Sequence, residues 1–526
     1  MSTYDEVPYA CEPIPCTTPE QLALASLLHG GPCPRIEGAR VLEIGCGNAA
    51  NLLPLAFFRP DCEFVGVDAS ARQVDDARGS AARLGLSNVT LCAADVRDIG
   101  ASLGRFDYIV AHGVMSWVAD EVRDAIFAIC RSQLVPEGLV YLSFNTFPGW
   151  LIRGVVRRLL LRPRGPGESL VQLAEACRQR ARALRGAVED AEHPYAQLFA
   201  RELSIVDRAG ESSLVHDYLA PHNRAYWFRD FAGLASGFGL HYLTEASHTQ
   251  PDYRVPAQIL EAAQKLESDP RDVEQLIDVL WYRQHRAALF CREGMQAAVP
   301  SHEVVFERVT ISAGCRPTSD ELDLAPGVEE SFIGLLEPNV TTTSDDPFEK
   351  AALTALAERW PLGLGFGELV AQARRRVRKS GLDDQGARPE AGLRAGLVDL
   401  HAMGQAELRL RAVPAPSAVS KRPRLAPLTQ WEVERRSLFT TPTHRRMSLT
   451  LTDRLILERL TGESTPSEIE ASVLEALRKI SAGSSDWPEM RGLPPGEVPE
   501  SLTLEQWVAA RIAQDLEVLG AWGLLR

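Results

Sequence analysis

The sequence predicts an α/β fold on a parallel sheet for its first third, and two observations carry that expectation. From Arg40 to Phe144, apolar runs of strand length alternate with helical patterns, and the runs are continuously apolar, as in strands covered by helices on both faces. The residues able to do chemistry (Gly45, Asp68, Asp95, His112 and Asn145) all fall at or just past the carboxyl ends of those runs. An open α/β sheet binds its ligands there.

Each element has its own warrant. "RVLEIG" reads as a buried strand, and "AANLLPLAFFR" as a helix opening on the glycine turn. "EFVGVD" is a second strand, followed by the helix "SARQVDDARGSAARLG", which Ser70 caps and Gly85 breaks. "NVTLCAAD" and "FDYIVAHG" are the third and fourth strands, "EVRDAIFAICRSQL" a helix and "GLVYLSF" the fifth strand. An Arg-rich helix, "LIRGVVRRLLLR", then runs into a break at "PRGPGE", and a mostly helical stretch extends to about residue 290. Within it "GFGLHYLTEAS" is a candidate strand returning to the first sheet. "SDDPFEK" opens a further helical domain, in which 411–427 reads as an exposed segment and 481–501 as a long loop. No internal repeat is present.

Composition narrows the function. The 526 residues carry a net charge of −14, with 45% hydrophobic and 24% charged residues, ordinary for a globular protein of several domains. The first 150 residues hold 10 Arg, no Lys and 18 acids. This balance argues against nucleic acid as the partner, and "RRRVRK" at Arg374 lacks the interleaved aromatics of a nucleic-acid reader. Ten scattered cysteines form no C-x-x-C, so a reducing compartment and no metal site are expected. The acidic N-terminal stretch has no signal-peptide pattern and no run reaches about 18 apolar residues, so a cytoplasmic protein without a membrane span is expected.

Two cofactors compete for "VLEIGCGNAAN". G-x-G-x-x-A with Asp68 beyond it fits a loose dinucleotide fingerprint. A pyrophosphate, however, would not welcome Glu43 just before the loop, whereas S-adenosylmethionine brings an ammonium and a sulfonium. Gly45 and Gly47 let the backbone approach its amino-acid part, Asp68 accepts both ribose hydroxyls, and Asp95 accepts from the adenine amino group while Val96 packs on the ring. Asn48 and Ala69 complete the candidate binding set. Three carboxylates at successive strand ends favour S-adenosylmethionine.

"VLEIGCGNAANL", "GVDAS" and "AAD" resemble the ordered motifs of class I methyltransferases, which have a Rossmann-like sheet. "YDEVPY", "PIPCTTPEQLALASLLHG", "AHGVMSWV" and "LSFNTFPGW" are similar to segments of bacterial methyltransferases with a regulatory domain, a group that includes the rickettsial protein-lysine methyltransferases of outer-membrane proteins. The segments 214–247 and 274–293 resemble its regulatory region. The resemblance implies a catalytic domain over 1–165, with Tyr4 and Tyr9 in a lid over the cofactor. It also implies a helical regulatory domain over 166–340, in which 212–247 is a candidate to complete the sheet, and a winged-helix-like domain over 341–526.

A lysine amine must be neutral to accept a methyl group, and deprotonating it at pH 7 costs about 4.6 kcal/mol. His112, at the fourth strand end, is the candidate base or positioning acceptor and also a candidate cofactor contact, with Asn145 beside it. Trp117, Phe147 and Trp150 flank the same rim, where aromatic faces favour cations. The expectation is a methyltransferase acting on protein lysines, with a homodimer as a candidate assembly. A methyltransferase for a small molecule or peptide natural product, and a cofactor-binding regulator without turnover, stay open as alternatives.

Overall fold

The computed structural model describes residues 3–9, 11–100, 103–246, 255–319, 321–334, 341–382, 390–483 and 503–526. Most of the loop expected over 481–501, and the last residue of the candidate strand, Ser247, lie outside them. The chain divides into two compact units: 1–12, 16–301 and 402–404 form the first, and 13–15, 302–401 and 405–526 the second. The boundaries expected at 165 and 340 do not coincide with these units.

The first unit is built on one seven-stranded sheet. Its strands are β1 (Arg40–Ile44), β2 (Glu63–Asp68), β3 (Val89–Ala93), β4 (Phe106–Ala111), β5 (Leu134–Asn145), β6 (Leu240–Glu245) and β7 (His285–Arg292), in the order β3-β2-β1-β4-β5-β7-β6. The first five are parallel, and β7 runs antiparallel to both β5 and β6. After β1 the chain fills one side with β2 and β3, then crosses back to β4 on the other. β1 and β4 therefore flank a topological switch point, where such sheets open a crevice. Glu43 pairs with Gly66 on one side and Val110 on the other, which fixes its position at that crevice.

Regulatory-region residues close the core of the same sheet. Phe231, from the helix Phe228–Gly237, stacks on Phe144 of β5 at 3.7 Å and meets Phe127 from the helix Asp120–Gln133. The stretch read as helical to about residue 290 ends in β7, because "RAALFCR" is a short apolar run whose period does not distinguish strand from helix. Beside the sheet, the helices Trp150–Leu160, Leu170–Gly186 and Pro194–Arg208 share a second apolar core with Val7.

The second unit carries short antiparallel strands and helices. β8 (Thr310–Ser312) pairs with β9 (Leu364–Gly365) and β10 (Glu407–Arg409), around the helices Pro347–Arg359, Phe366–Lys379 and Glu390–Ala402. Lys350 is buried there and donates to the carbonyls of Asp323, Ala325 and Val328 at 2.7, 2.9 and 2.9 Å. Among the described residues no helix is long and apolar enough to cross a membrane, and no cluster of His, Cys, Asp or Glu has the makings of a metal site.

Candidate active site

The floor of the crevice is the turn after β1. Gly45 (φ 76°) and Gly47 (φ 52°) adopt left-handed backbone that only glycine takes without strain. A Cβ on Gly45 would stand 2.4 Å from Val114 Cγ2, and one on Gly47 2.5 Å from Cys11 Sγ. Ala49 also has positive φ, 57°, a strained conformation for a residue with a Cβ. The Gly45 and Cys46 amides donate to the Val67 carbonyl at 2.8 and 3.2 Å. Asp68 then ties this turn to the next: its Oδ2 accepts from the Gly47 amide and its Oδ1 from the Ser70 amide, both at 2.8 Å. Burial raises its carboxyl above the usual range, opposed by these two bonds.

Glu43 is 4% exposed. Asn51 Nδ2 donates to its Oε1 at 3.2 Å, and its Oε2 is buried without a hydrogen-bond partner. Burial, with Asp68 adding to it, pushes the carboxyl up to about 8. A buried carboxylate left half satisfied is costly unless a cation or donor completes it. S-adenosylmethionine fits that vacancy in the donor set: its ammonium suits Glu43, and its ribose hydroxyls suit the remaining lone pairs of Asp68.

The other cofactor candidates are placed less uniformly. Asp95 is half-buried and engaged by Arg97, with contacts of 3.0 and 2.7 Å from the guanidinium and 2.9 Å from the amide, which pull its carboxyl down to about 2. Val96 is buried in the sheet core. Asn48 accepts from the Ala50 amide at 3.3 Å, a local turn bond, and Ala69 is exposed between Asp68 and Ser70.

The N-terminal segment lies over this floor. Ser70 caps the helix Ala71–Leu84 and donates to Asp5 Oδ1 at 2.8 Å, while Glu6 binds Arg164 at 2.9 and 2.8 Å. Tyr4 stacks on His216 at 4.2 Å and Tyr9 meets the same ring edge-on at 5.7 Å. His216 Nε2 donates to the Val7 carbonyl at 2.6 Å; burial lowers its imidazolium pKa, opposed by that bond. Sequence reasoning assigned no role to His216; its one signal was the polar and aromatic triplet "HDY" inside an apolar stretch.

Beyond the floor, at the ends of β4 and β5, stand the acceptor candidates. His112 Nδ1 shares a 2.8 Å hydrogen bond with Tyr141 Oη, and its ring lies 5.9 Å from that of His285. Asn145, 5% exposed and opposite His285 in the β5–β7 register, donates its amide to Ser116 Oγ at 2.8 Å. Its side-chain Nδ2 is buried without a partner. Trp117 and Trp150 meet edge to face at 5.7 Å, and the Arg153 guanidinium lies 5.2 Å over Trp150. Trp150 is buried; Trp117 is half-exposed.

A buried ion network fastens this rim to the regulatory region. The Thr146 hydroxyl lies 2.9 Å from the Tyr226 carbonyl and 3.1 Å from Asp278 Oδ2. Asp278 is held by Arg283 at 3.1 Å and by Arg286 at 2.8 Å, and Arg286, fully buried, also binds Glu245 at 2.6 Å.

A family described as a methyltransferase domain matches residues 36–152, and one described as a predicted methyltransferase regulatory domain matches residues 210–292. The chain is 30% identical over 387 residues to the uncharacterized protein RP789 of Rickettsia prowazekii (strain Madrid E), covering 72% of this chain and 69% of that protein. It is 32% identical over 229 residues to the uncharacterized protein RP028 of the same organism, covering 44% and 92%. Its fold matches that of PKMT2 from Rickettsia typhi in complex with AdoHcy, with a TM-score of 0.79 and 24% identity, over 98% of this chain and 100% of that one.

Proposed function

From the premise that this chain belongs to the class I S-adenosylmethionine-dependent methyltransferases with a methyltransferase regulatory domain, we propose that it methylates lysine side chains of a protein substrate. When bound, S-adenosylmethionine supplies a methyl carbon activated by its sulfonium. The residues of this chain bind, orient and shield. Glu43 takes the cofactor ammonium, Asp68 the ribose hydroxyls, and the turn at Gly45 and Gly47 admits the amino-acid part. Asp95, though paired with Arg97, keeps acceptor capacity for the adenine amino group beside Val96. Asn48 and Ala69 line the edge of the turns, and Tyr4 and Tyr9 cover them and exclude water.

The observation that carries the lysine reading is the Trp117–Trp150 pair, 5.7 Å apart, from the segments that follow β4 and β5. An indole face favours an amine that arrives as a cation, by roughly 0.5–2 kcal/mol, over an uncharged acceptor. His112, oriented by Tyr141, and Asn145, with its unpartnered Nδ2, set the nucleophile's position, which alignment-dominated catalysis requires. The likeness to PKMT2, which extends through the second unit, supports a protein substrate.

Incubating the full chain with methyl-labelled cofactor and a bacterial lysate tests this. Label recovered as methyl-lysine in protein hydrolysates is the expected result; label confined to small molecules contradicts it.

A further inference from the structure

β5 alternates in a way that burial alone does not explain. Val140, Leu142 and Phe144 enter the apolar core, yet Tyr141, Ser143 and Asn145 among them are buried as well. Successive side chains of a strand point to opposite faces, so these three form one polar row on the face turned away from that core. Buried polar groups are costly unless bonded, and most of this row is bonded. Tyr141 Oη shares a 2.8 Å bond with His112 Nδ1 and takes the Cys16 thiol at 3.8 Å. Ser143 Oγ accepts from the Gly113 amide at 2.7 Å. Asn145 closes the row, and its Nδ2 has no partner among the described residues.

β7 supplies what stands beside that orphan. Its antiparallel ladder with β5 runs from Leu139 opposite Cys291 to Asn145 opposite His285. Residues directly opposite in a ladder share a face, so His285 belongs to the polar row. Arg286, opposite Phe144, takes the core side instead and lies 3.9 Å over the Phe228 ring. The Thr146 amide donates to the Gln284 carbonyl at 3.0 Å, which carries the pairing one step past the strand end and fixes the start of β7. The His285 ring is half-buried and lies 5.9 Å from the His112 ring, tilted by 59°. Register, shared face and ring separation therefore put His285 at the carboxyl end of β5, beside His112 and Asn145.

His112 needs such a neighbour. A lysine arrives as an ammonium and must give up one proton before its lone pair is available. His112 can take that proton at Nε2, but its Nδ1 is committed to a phenol, a poor acceptor for a proton in transit. A second imidazole, close enough for one water to bridge the two rings, is a suitable receiver. Its partial exposure gives the proton a way out to solvent.

We propose that His285 is the residue through which the regulatory region enters the chemistry: it receives the lysine proton from His112 and holds that ring in place. The proposal rests on the protein-lysine reading above and adds to it a positioning residue from outside the matched methyltransferase domain, which ends at residue 152. The transfer balances. One N–H bond of the ammonium breaks, one N–H bond forms on His112 and then on His285, and solvent takes the proton while the amine keeps its lone pair. Arg286, tied to Glu245 at 2.6 Å and Asp278 at 2.8 Å, anchors the strand that presents His285.

The test uses the full chain, methyl-labelled cofactor and total protein of a bacterial lysate as the acceptor, with initial rates measured against lysate-protein concentration. Adenosylhomocysteine affinity is measured in parallel by calorimetry, which also reports that the variant is folded. His285→Ala is expected to lower the limiting rate about tenfold or more while the apparent KM stays within about threefold. Adenosylhomocysteine affinity should stay within about twofold. Added imidazole should restore part of the rate to His285→Ala and none to His285→Phe, whose ring leaves it no room. An unchanged limiting rate in His285→Ala overturns the inference. So does a loss that imidazole does not relieve, or one matched by weaker adenosylhomocysteine binding. If the wild-type chain puts no methyl-lysine into protein, the lysine reading fails first and the inference falls with it.

Discussion

Between Glu43 and Ser70 the cofactor hollow is held by close neighbours in sequence: two glycines, one carboxylate bonded to two backbone amides, and a capped helix. The acceptor rim is assembled otherwise. Trp117, Asn145 and Trp150 come from separate loops and strands, and Thr146 is anchored through Asp278 to Arg283 and Arg286. Backbone bonds inside one supersecondary unit survive perturbation elsewhere. A rim hung on a buried ion network fails as a unit when one member is lost. The regulatory region therefore touches both sides: through Asp278, Arg283 and Arg286 it anchors the rim, and through His216 it holds the segment over the cofactor floor.

The comparison breaks hardest at Arg286. Arg286→Met takes the ion-pair partner from buried Glu245 and leaves Asp278 with Arg283, a loss of about 3–5 kcal/mol. The first unit should melt roughly 6–20 °C lower by calorimetry. Below that transition, methyl transfer should fall further than adenosylhomocysteine binding. Next comes Gly45→Val, which forces a side chain into Val114 at a left-handed φ. It should weaken adenosylhomocysteine about 100-fold or more by titration calorimetry.

Glu43→Gln sharpens the contrast through pH. With the folded carboxyl at about 8, the cofactor ammonium must expel a proton, so wild-type affinity for adenosylhomocysteine should rise between pH 6 and 8 and level off above. The variant should bind about tenfold more weakly at pH 8 and lose that slope. The same shift acts on stability in the opposite sense. A folded pKa raised above the unfolded value of about 4.3 gives a contribution that is full below that pH and lost as pH climbs to about 8. The unliganded variant should therefore melt higher than wild type at pH 8. The smallest effect is expected of Ser70→Ala, which removes a helix cap and the bond to Asp5: about 1 kcal/mol by denaturant melts, with faster proteolysis of the N-terminal segment.

The same asymmetry decides what is legible in the sequence. Gly45, Gly47, Glu43 and Asp68 can be read because a strand, a tight turn and the next strand end bring them together within one βα unit, whatever the rest of the chain does. The lid is legible only through family resemblance; nothing local says that Tyr4 and Tyr9 grip a histidine over 200 residues away. Asp95 carries the right residue type at the right strand end, yet Arg97, two positions on, occupies it, an i to i+2 bond that strand patterning does not encode. β7 escapes because an apolar run directly after a helix has no period of its own, and with it go His285, the Arg286 network and the tie to Thr146.

One measurement bears most directly on the cofactor hollow. Adenosylhomocysteine is titrated into the full chain at pH 7 in two buffers of different ionisation enthalpy, and the proton count is taken from the difference in heat. A carboxyl at about 8 that must ionise to meet the ligand's ammonium predicts release of about 0.9 proton per site in the wild type and close to none in Glu43→Gln. Tight binding without proton release, or the same release from the variant, would contradict it.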